Sequence, residues 1–163
     1  MGPDLLVVAE EFGDWEDARR RIDLLAIDTA GHLTVVELKR TEDGGHMELQ
    51  ALRYAAMVSS MAFEDVASAH SAYVARRRSG DDANARAELA AFLGGADGED
   101  PVISSEVRII LVSADFGREL MTTVLWLNQF EGLDIRCVQL LPYKVGERVL
   151  LDVPSSTAFA TVW

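Results

Sequence analysis

The stretch "RIDLLAIDTAGHLTVVELKR", residues 21–40, constrains the fold more than any other part of the chain. Two runs rich in Leu, Val and Ile flank a short turn, which is the signature of a β-hairpin. With the turn centred near Ala30 and Gly31, facing residues carry numbers that sum to about 60, pairing Leu25 with Val35 and Ile27 with Leu33. The same register sets Asp23 opposite Glu37, and the two-residue strand period brings Lys39 onto that face. One face of the hairpin is therefore apolar near the turn and ionic at its far end. Charges set among buried apolar residues lose their hydration at a cost of roughly several kcal/mol, so they are normally paired, bound to a cation or chemically employed.

Two opposed carboxylates repel each other unless a cation lies between them. Mg²⁺ takes hard oxygen ligands, commonly one or two carboxylates together with waters and substrate phosphates. Asp23, Glu37 and the backbone carbonyl of Leu38 are the candidate ligands here. The Lys39 ammonium, two residues further on, reaches the same region and is suited to orient a water or to stabilise charge growing on a phosphoryl oxygen. The competing reading is an ion pair between Lys39 and one carboxylate at the solvated end of the sheet, and the hairpin alone does not separate the two.

Six segments read as strands, 4–10, 21–27, 33–39, 107–113, 135–141 and 148–153, each rich in Val, Leu and Ile and bounded by Gly, Asp or Pro. Helical patterns cover 46–63, 64–79, 84–94 and 117–130. The first of these has apolar residues on nearly every side and is expected to be largely buried. The order predicts an α/β fold with a central mixed sheet flanked by helices. At 163 residues, 1–163 fits one domain, with "GGADGEDP" as an internal loop and 154–163 as a loosely attached tail.

Several functional classes are disfavoured. Cys137 is the lone cysteine and sits in the apolar run "DIRCVQLL", as a core residue does. His32, His46 and His70 lack zinc-ligand spacing, and no nucleophile elbow, Walker loop or dinucleotide fingerprint occurs. No stretch approaches the roughly 20 apolar residues of a membrane span, so a cytoplasmic protein without membrane attachment is expected. The net charge of −12 argues against a broad phosphate-binding surface, and any nucleic-acid contact must be local. Arg19, Arg20 and Arg21, just before the Asp23 strand, and Arg40, just after Lys39, are the candidates for such contacts.

The combination of Asp23 on one strand, Glu37 and Lys39 on the next, and Gln50 with Tyr54 in "QALRYA" resembles the PD-(D/E)XK nuclease superfamily, most closely its RecB-like and NucS-like domains. The likeness runs from about Leu5 to Val153. It implies a restriction-endonuclease-like core, a catalytic Mg²⁺ or Mn²⁺ on Asp23 and Glu37, and assistance to the attacking water from Lys39. It also implies that Gln50 and Tyr54 sit beside the site. Glu11, ending the first strand, matches an acidic position often seen in the family and is a further candidate ligand. The implied function is a metal-dependent DNA phosphodiesterase, endonuclease-like, serving DNA repair or defence. The alternative is a catalytically inactive nuclease-like module that binds nucleic acid or a protein partner. The family's N-terminal helix with a further Glu has no counterpart in the sequence, so the domain is expected to lack it, and a homodimer or additional domains beyond this chain are compatible with that expectation.

Overall fold

The computed structural model describes residues 4–13, 21–39, 47–78, 84–95 and 100–154. Three apolar runs, β1 (Leu5–Phe12), β2 (Ile22–Asp28) and β3 (Leu33–Lys39), form consecutive antiparallel neighbours. Beyond β3 lie β4 (Val107–Ser113) and β5 (Asp134–Gln139), paired parallel to it and to each other, so the five strands lie in chain order in one mixed sheet. Parallel pairing needs long crossovers. Between β3 and β4 run α1 (Met47–Val58), α2 (Phe63–Arg78) and α3 (Ala85–Phe92), and between β4 and β5 runs α4 (Arg118–Leu127). The protein is thus α/β, with helices flanking a mixed sheet.

The register expected for the β2–β3 hairpin is present: Ile27 faces Leu33, Leu25 faces Val35 and the ladder closes at Leu24 and Val36. Its turn is pinned by Asp28, whose buried carboxylate accepts the N–H groups of Ala30 (2.9 Å) and His32 (3.0 Å) and pairs with the Arg108 guanidinium from β4. Burial alone raises the Asp28 pKa, but these donors and the positive charge outweigh it and hold the group below its ordinary value.

In β1 the register shifts between Val7 and Ala9, a bulge that adds one residue to that strand. The shift matters for everything beyond it. Glu11 falls between the pairs Glu10–Leu24 and Phe12–Ile22, level with Asp23, and its φ of 50° is a left-handed conformation uncommon outside glycine.

Two buried clusters hold the sheet to its helices. Leu25, Ile27, Leu33 and Val35 pack with Tyr54, Val58, Val66 and Leu89, while Ile109, Leu111 and Ile135 pack with Met47, Ala51, Val124 and Cys137. Cys137 is a core residue as expected, and burial pushes its thiol up to about 11.

Two expectations need correction. Helix α1 is not largely buried: Met47, Ala51, Tyr54 and Val58 form one inward face, whereas Leu49, Arg53 and Ala56 are exposed. Its apolar composition exceeds what one face against the sheet can bury. Secondly, the described residues hold seven strands rather than six. The run at 135–141 breaks after Gln139, and β6 (Leu141–Val145) pairs with β7 (Arg148–Asp152) as a separate antiparallel hairpin. Pro142 weighs against a strand in a central sheet but is tolerated at an edge, which is where β6 lies. Among the described residues, no helix is long and apolar enough to cross a membrane.

Candidate functional site

The ionic end of the hairpin lies where β3 leaves the sheet, beneath α1. Period-two alternation puts Glu37 on the face that carries Leu33 and Val35, and the strand-to-strand register sets it beside Leu111 of β4. Its side chain is accordingly buried, with the residue only 5% exposed. Asp23 is half-buried on the neighbouring strand, and its Oδ2 accepts the Leu38 N–H at 2.6 Å. In an extended residue the carbonyl points toward the same neighbouring strand as the N–H, so the Leu38 carbonyl faces the Asp23 side as well. The Leu38 side chain is exposed.

Gln50 and Tyr54 lie one helical turn apart on α1 and face the hairpin together. The Gln50 amide donates from Nε2 to Glu37 Oε2 at 3.2 Å, and the same nitrogen is 3.4 Å from the Tyr54 hydroxyl. Tyr54 is buried among Val35, Val58 and Phe63. The spacing read from "QALRY" therefore does bring these residues to Glu37, with Tyr54 also serving as a core aromatic.

The electrostatics are those of a site with too much negative charge. Loss of water, then the Asp23 carboxylate, and more weakly the Glu11 carboxylate push the Glu37 pKa up to about 8, against the lowering effect of the Gln50 hydrogen bond. Glu37 Oε1 is buried with no hydrogen-bond partner. An orphaned carboxylate oxygen facing a second carboxylate is the local condition that a cation relieves.

The donor set of Asp23, Glu37, the Leu38 carbonyl and the more distant Glu11 consists of hard oxygens, which fits Mg²⁺ or Mn²⁺ and not a soft-ligand metal. Among the described residues, no group of three or more His, Cys, Asp or Glu side chains is gathered tightly enough to hold a metal by itself. Two close carboxylates with remaining positions for water and phosphate are within the Mg²⁺ repertoire.

Lys39 is partly buried at the end of β3, level with Ser113 of β4, and forms no ion pair with any described residue. The ion-pair reading of the hairpin thus has no support from the side-chain geometry. Arg21 is exposed just before β2. Arg19, Arg20 and Arg40, also expected to touch nucleic acid, lie outside the described residues, as do the 155–163 part of the expected tail and His46.

Sequence reading missed Ser113, buried next to Lys39, and Gln139, paired with Ser113 and bonded to the Ala114 carbonyl at 2.8 Å. Ser113 comes beside Lys39, and Gln139 beside Ser113, only through parallel pairing of distant strands, for which the sequence carries no local signal. The Asp28, His32 and Arg108 cluster was missed too, although an Asp opening a turn is a recognisable cue. Its His32 and Arg108 line a cavity of about 240 Å³ with Glu106 and Asp134 at the other end of β3 and β4, and a second cavity of about 490 Å³ lies between the α1–α2 turn and residues 100–105. Neither is lined by Asp23 or Glu37.

No family model, curated protein or solved structure matches the chain. The functional reading therefore rests on the residues themselves.

Proposed function

We propose that the protein is a metal-dependent DNA phosphodiesterase with a restriction-endonuclease-like core, its centre formed by Asp23, Glu37, Lys39, Gln50 and Tyr54. The observation that carries the proposal is the buried, partnerless Oε1 of Glu37, whose carboxyl feels the Asp23 carboxylate, with Lys39 two residues further along the same strand. The antiparallel hairpin followed by α1 and a parallel β4 supports the likeness to the PD-(D/E)XK superfamily.

Asp23 and Glu37 would hold the Mg²⁺ or Mn²⁺, with the Leu38 carbonyl and Glu11 on the same side. The bound cation supplies Lewis-acid stabilisation of charge on the phosphoryl group and favours deprotonation of water. The protein's own groups have separable tasks. Glu37 must release its proton to bind a cation, because at neutral pH a carboxyl raised to about 8 is largely protonated. Gln50 fixes the carboxylate by its bond to Oε2, leaving Oε1 to face the site, and Tyr54 braces the Gln50 amide. Lys39, free of competing carboxylates among the described residues, has its three N–H donors available for a phosphoryl oxygen and for the water that attacks phosphorus. Arg19, Arg20, Arg21 and Arg40 are the proposed contacts to the DNA backbone.

The test is cleavage of flap, mismatched, single-stranded and duplex DNA in Mg²⁺ or Mn²⁺. Activity on at least one substrate that falls by about 100-fold or more in both Glu37→Gln and Lys39→Ala is expected, in line with the loss of groups acting on the transition state. Cleavage equal to that of Lys39→Ala on every substrate rejects the enzymatic reading. The second reading, a nuclease-like module that binds nucleic acid or a protein without cutting, is favoured by the lack of a third close ligand among the described residues. DNA binding with no cleavage is its signature.

A further inference from the structure

The β6–β7 hairpin poses a problem that the candidate site does not explain. A lone two-stranded hairpin is marginal in water, and this one leaves Tyr143, Val145, Val149, Leu150 and Leu151 exposed on its two faces. Neither strand packs substantially on any other described element. Its two free edges are unequal. The β6 edge carries Pro142, which removes a ladder donor, and Lys144, both devices that discourage further pairing. The β7 edge, "RVLLD", carries neither.

We propose that β7 pairs antiparallel with β7 of a second copy about a two-fold axis at Leu150, making one continuous four-stranded sheet. The sequence of β7 is self-complementary in that register. Leu150 faces Leu150 of the second copy on the axis, Val149 faces its Leu151, and Arg148 faces its Asp152, with the last two pairs each occurring twice by symmetry. The intramolecular register extends the match. Tyr143 lies across from Leu150, so the dimer carries an apolar row of Tyr143, Leu150, and the same two residues of the second copy on one face. Val145 lies across from Arg148 and Leu141 across from Asp152, so neither charge has an ionic partner directly opposite within its own hairpin.

Overall charge does not oppose the contact locally. The chain is at −12, but residues 141–152 hold two basic side chains, Lys144 and Arg148, and two acidic ones, Glu147 and Asp152, for a net of zero. A neutral, self-complementary strand on an acidic molecule fits a second copy as occupant of the β7 edge. This inference does not rest on the nuclease reading, and its test needs neither DNA nor metal.

Sedimentation equilibrium of the full chain from ~1 to ~100 µM measures the association directly, and a dimer with a dissociation constant in the micromolar range is expected. Arg148→Asp alone and Asp152→Arg alone each replace two attractive pairs by two repulsive ones and weaken the dimer by about tenfold or more. The double variant R148D/D152R restores the complementary pairs and recovers the wild-type constant to within about threefold. Recovery separates a specific contact from a damaged hairpin, since a variant that merely unfolds β7 gains nothing from a second substitution. A chain monomeric across the whole range overturns the proposal, including the case in which deletion of residues 155–163 then permits dimerisation, because the tail would be the occupant. A dimer indifferent to the single charge reversals also overturns it, by placing the contact elsewhere.

Discussion

Glu37 shows how one residue can be costly to the fold and useful to the site. It is buried, feels the Asp23 and Glu11 carboxylates, and keeps one oxygen without a partner, so the fold bears a burden that the proposed cation would lift. Glu37→Gln removes the ionisable carboxyl while retaining the shape. In chelator at neutral pH its melting temperature should equal or exceed the wild type by up to a few degrees, corresponding to about 1 kcal/mol. The rise in melting temperature that Mn²⁺ gives the wild type should vanish in the same variant. Differential scanning fluorimetry with and without Mn²⁺ checks both, and a wild type unmoved by Mn²⁺ counts against the site. Asp28 is the opposite case. Its carboxylate is held below its ordinary pKa of 3.8, so its contribution is complete above that value and is lost as pH falls through the lower folded-state value. Asp28→Ala leaves Arg108 without its main partner and the turn N–H groups without an acceptor. We expect a loss of about 3 kcal/mol at neutral pH, shrinking toward low pH, measured from urea midpoints at pH 7 and in acid.

At the scale of elements, the β2–β3 turn joins the hairpin to the chain entering β4. Gly31 has a φ of 83°, its carbonyl accepts the Ser104 N–H at 2.9 Å, and a Cβ there would sit 2.7 Å from the Val102 carbonyl oxygen. Gly31→Ala should therefore cost about 2 kcal/mol or more, from the left-handed conformation and from the displaced backbone together. Chemical denaturation reads the cost, and a variant as stable as wild type would show that the 102–104 segment yields freely. The same hairpin explains what could be read in the sequence. The alternation through Leu25, Ile27, Leu33 and Val35 and the local turn chemistry are short-range signals, and they set both register and the face shared by Asp23 and Glu37. Gln50 and Tyr54 were readable for the same reason, being one helical turn apart. The β1 bulge that aligns Glu11 with Asp23, and the parallel pairing that sets Ser113 beside Lys39, depend on contacts between distant segments. Helix α1 misled because Leu49 and Ala56 add apolar character to positions that the sheet does not cover. Strand β6 was hidden by Pro142, whose usual penalty disappears at an edge.

Across the whole molecule the acidic balance limits how DNA would be held under the proposed function. A charge of −12 leaves few places where phosphates are attracted, and the candidates gather on the segments leading into β2 and out of β3, at Arg19, Arg20, Arg21 and Arg40. Counterion release ties the number of neutralised phosphates to the salt dependence of binding, at roughly −0.9 in log–log slope per contact on duplex DNA. Four arginines set a ceiling near −4 on that slope, roughly, far shallower than an extended basic surface would give. Glu37→Gln is the protein to use, because it should bind without cutting. Fluorescence anisotropy with labelled duplex from ~50 to ~200 mM salt should give a slope between about −2 and −4. Replacing Arg20 and Arg21 together by Ala should lower its magnitude by roughly 2 while weakening binding alike on unrelated sequences, as phosphate contacts do. A slope of about −8 or steeper would require a distributed cationic face that this composition does not provide, and no binding at the lowest salt would remove DNA as the substrate.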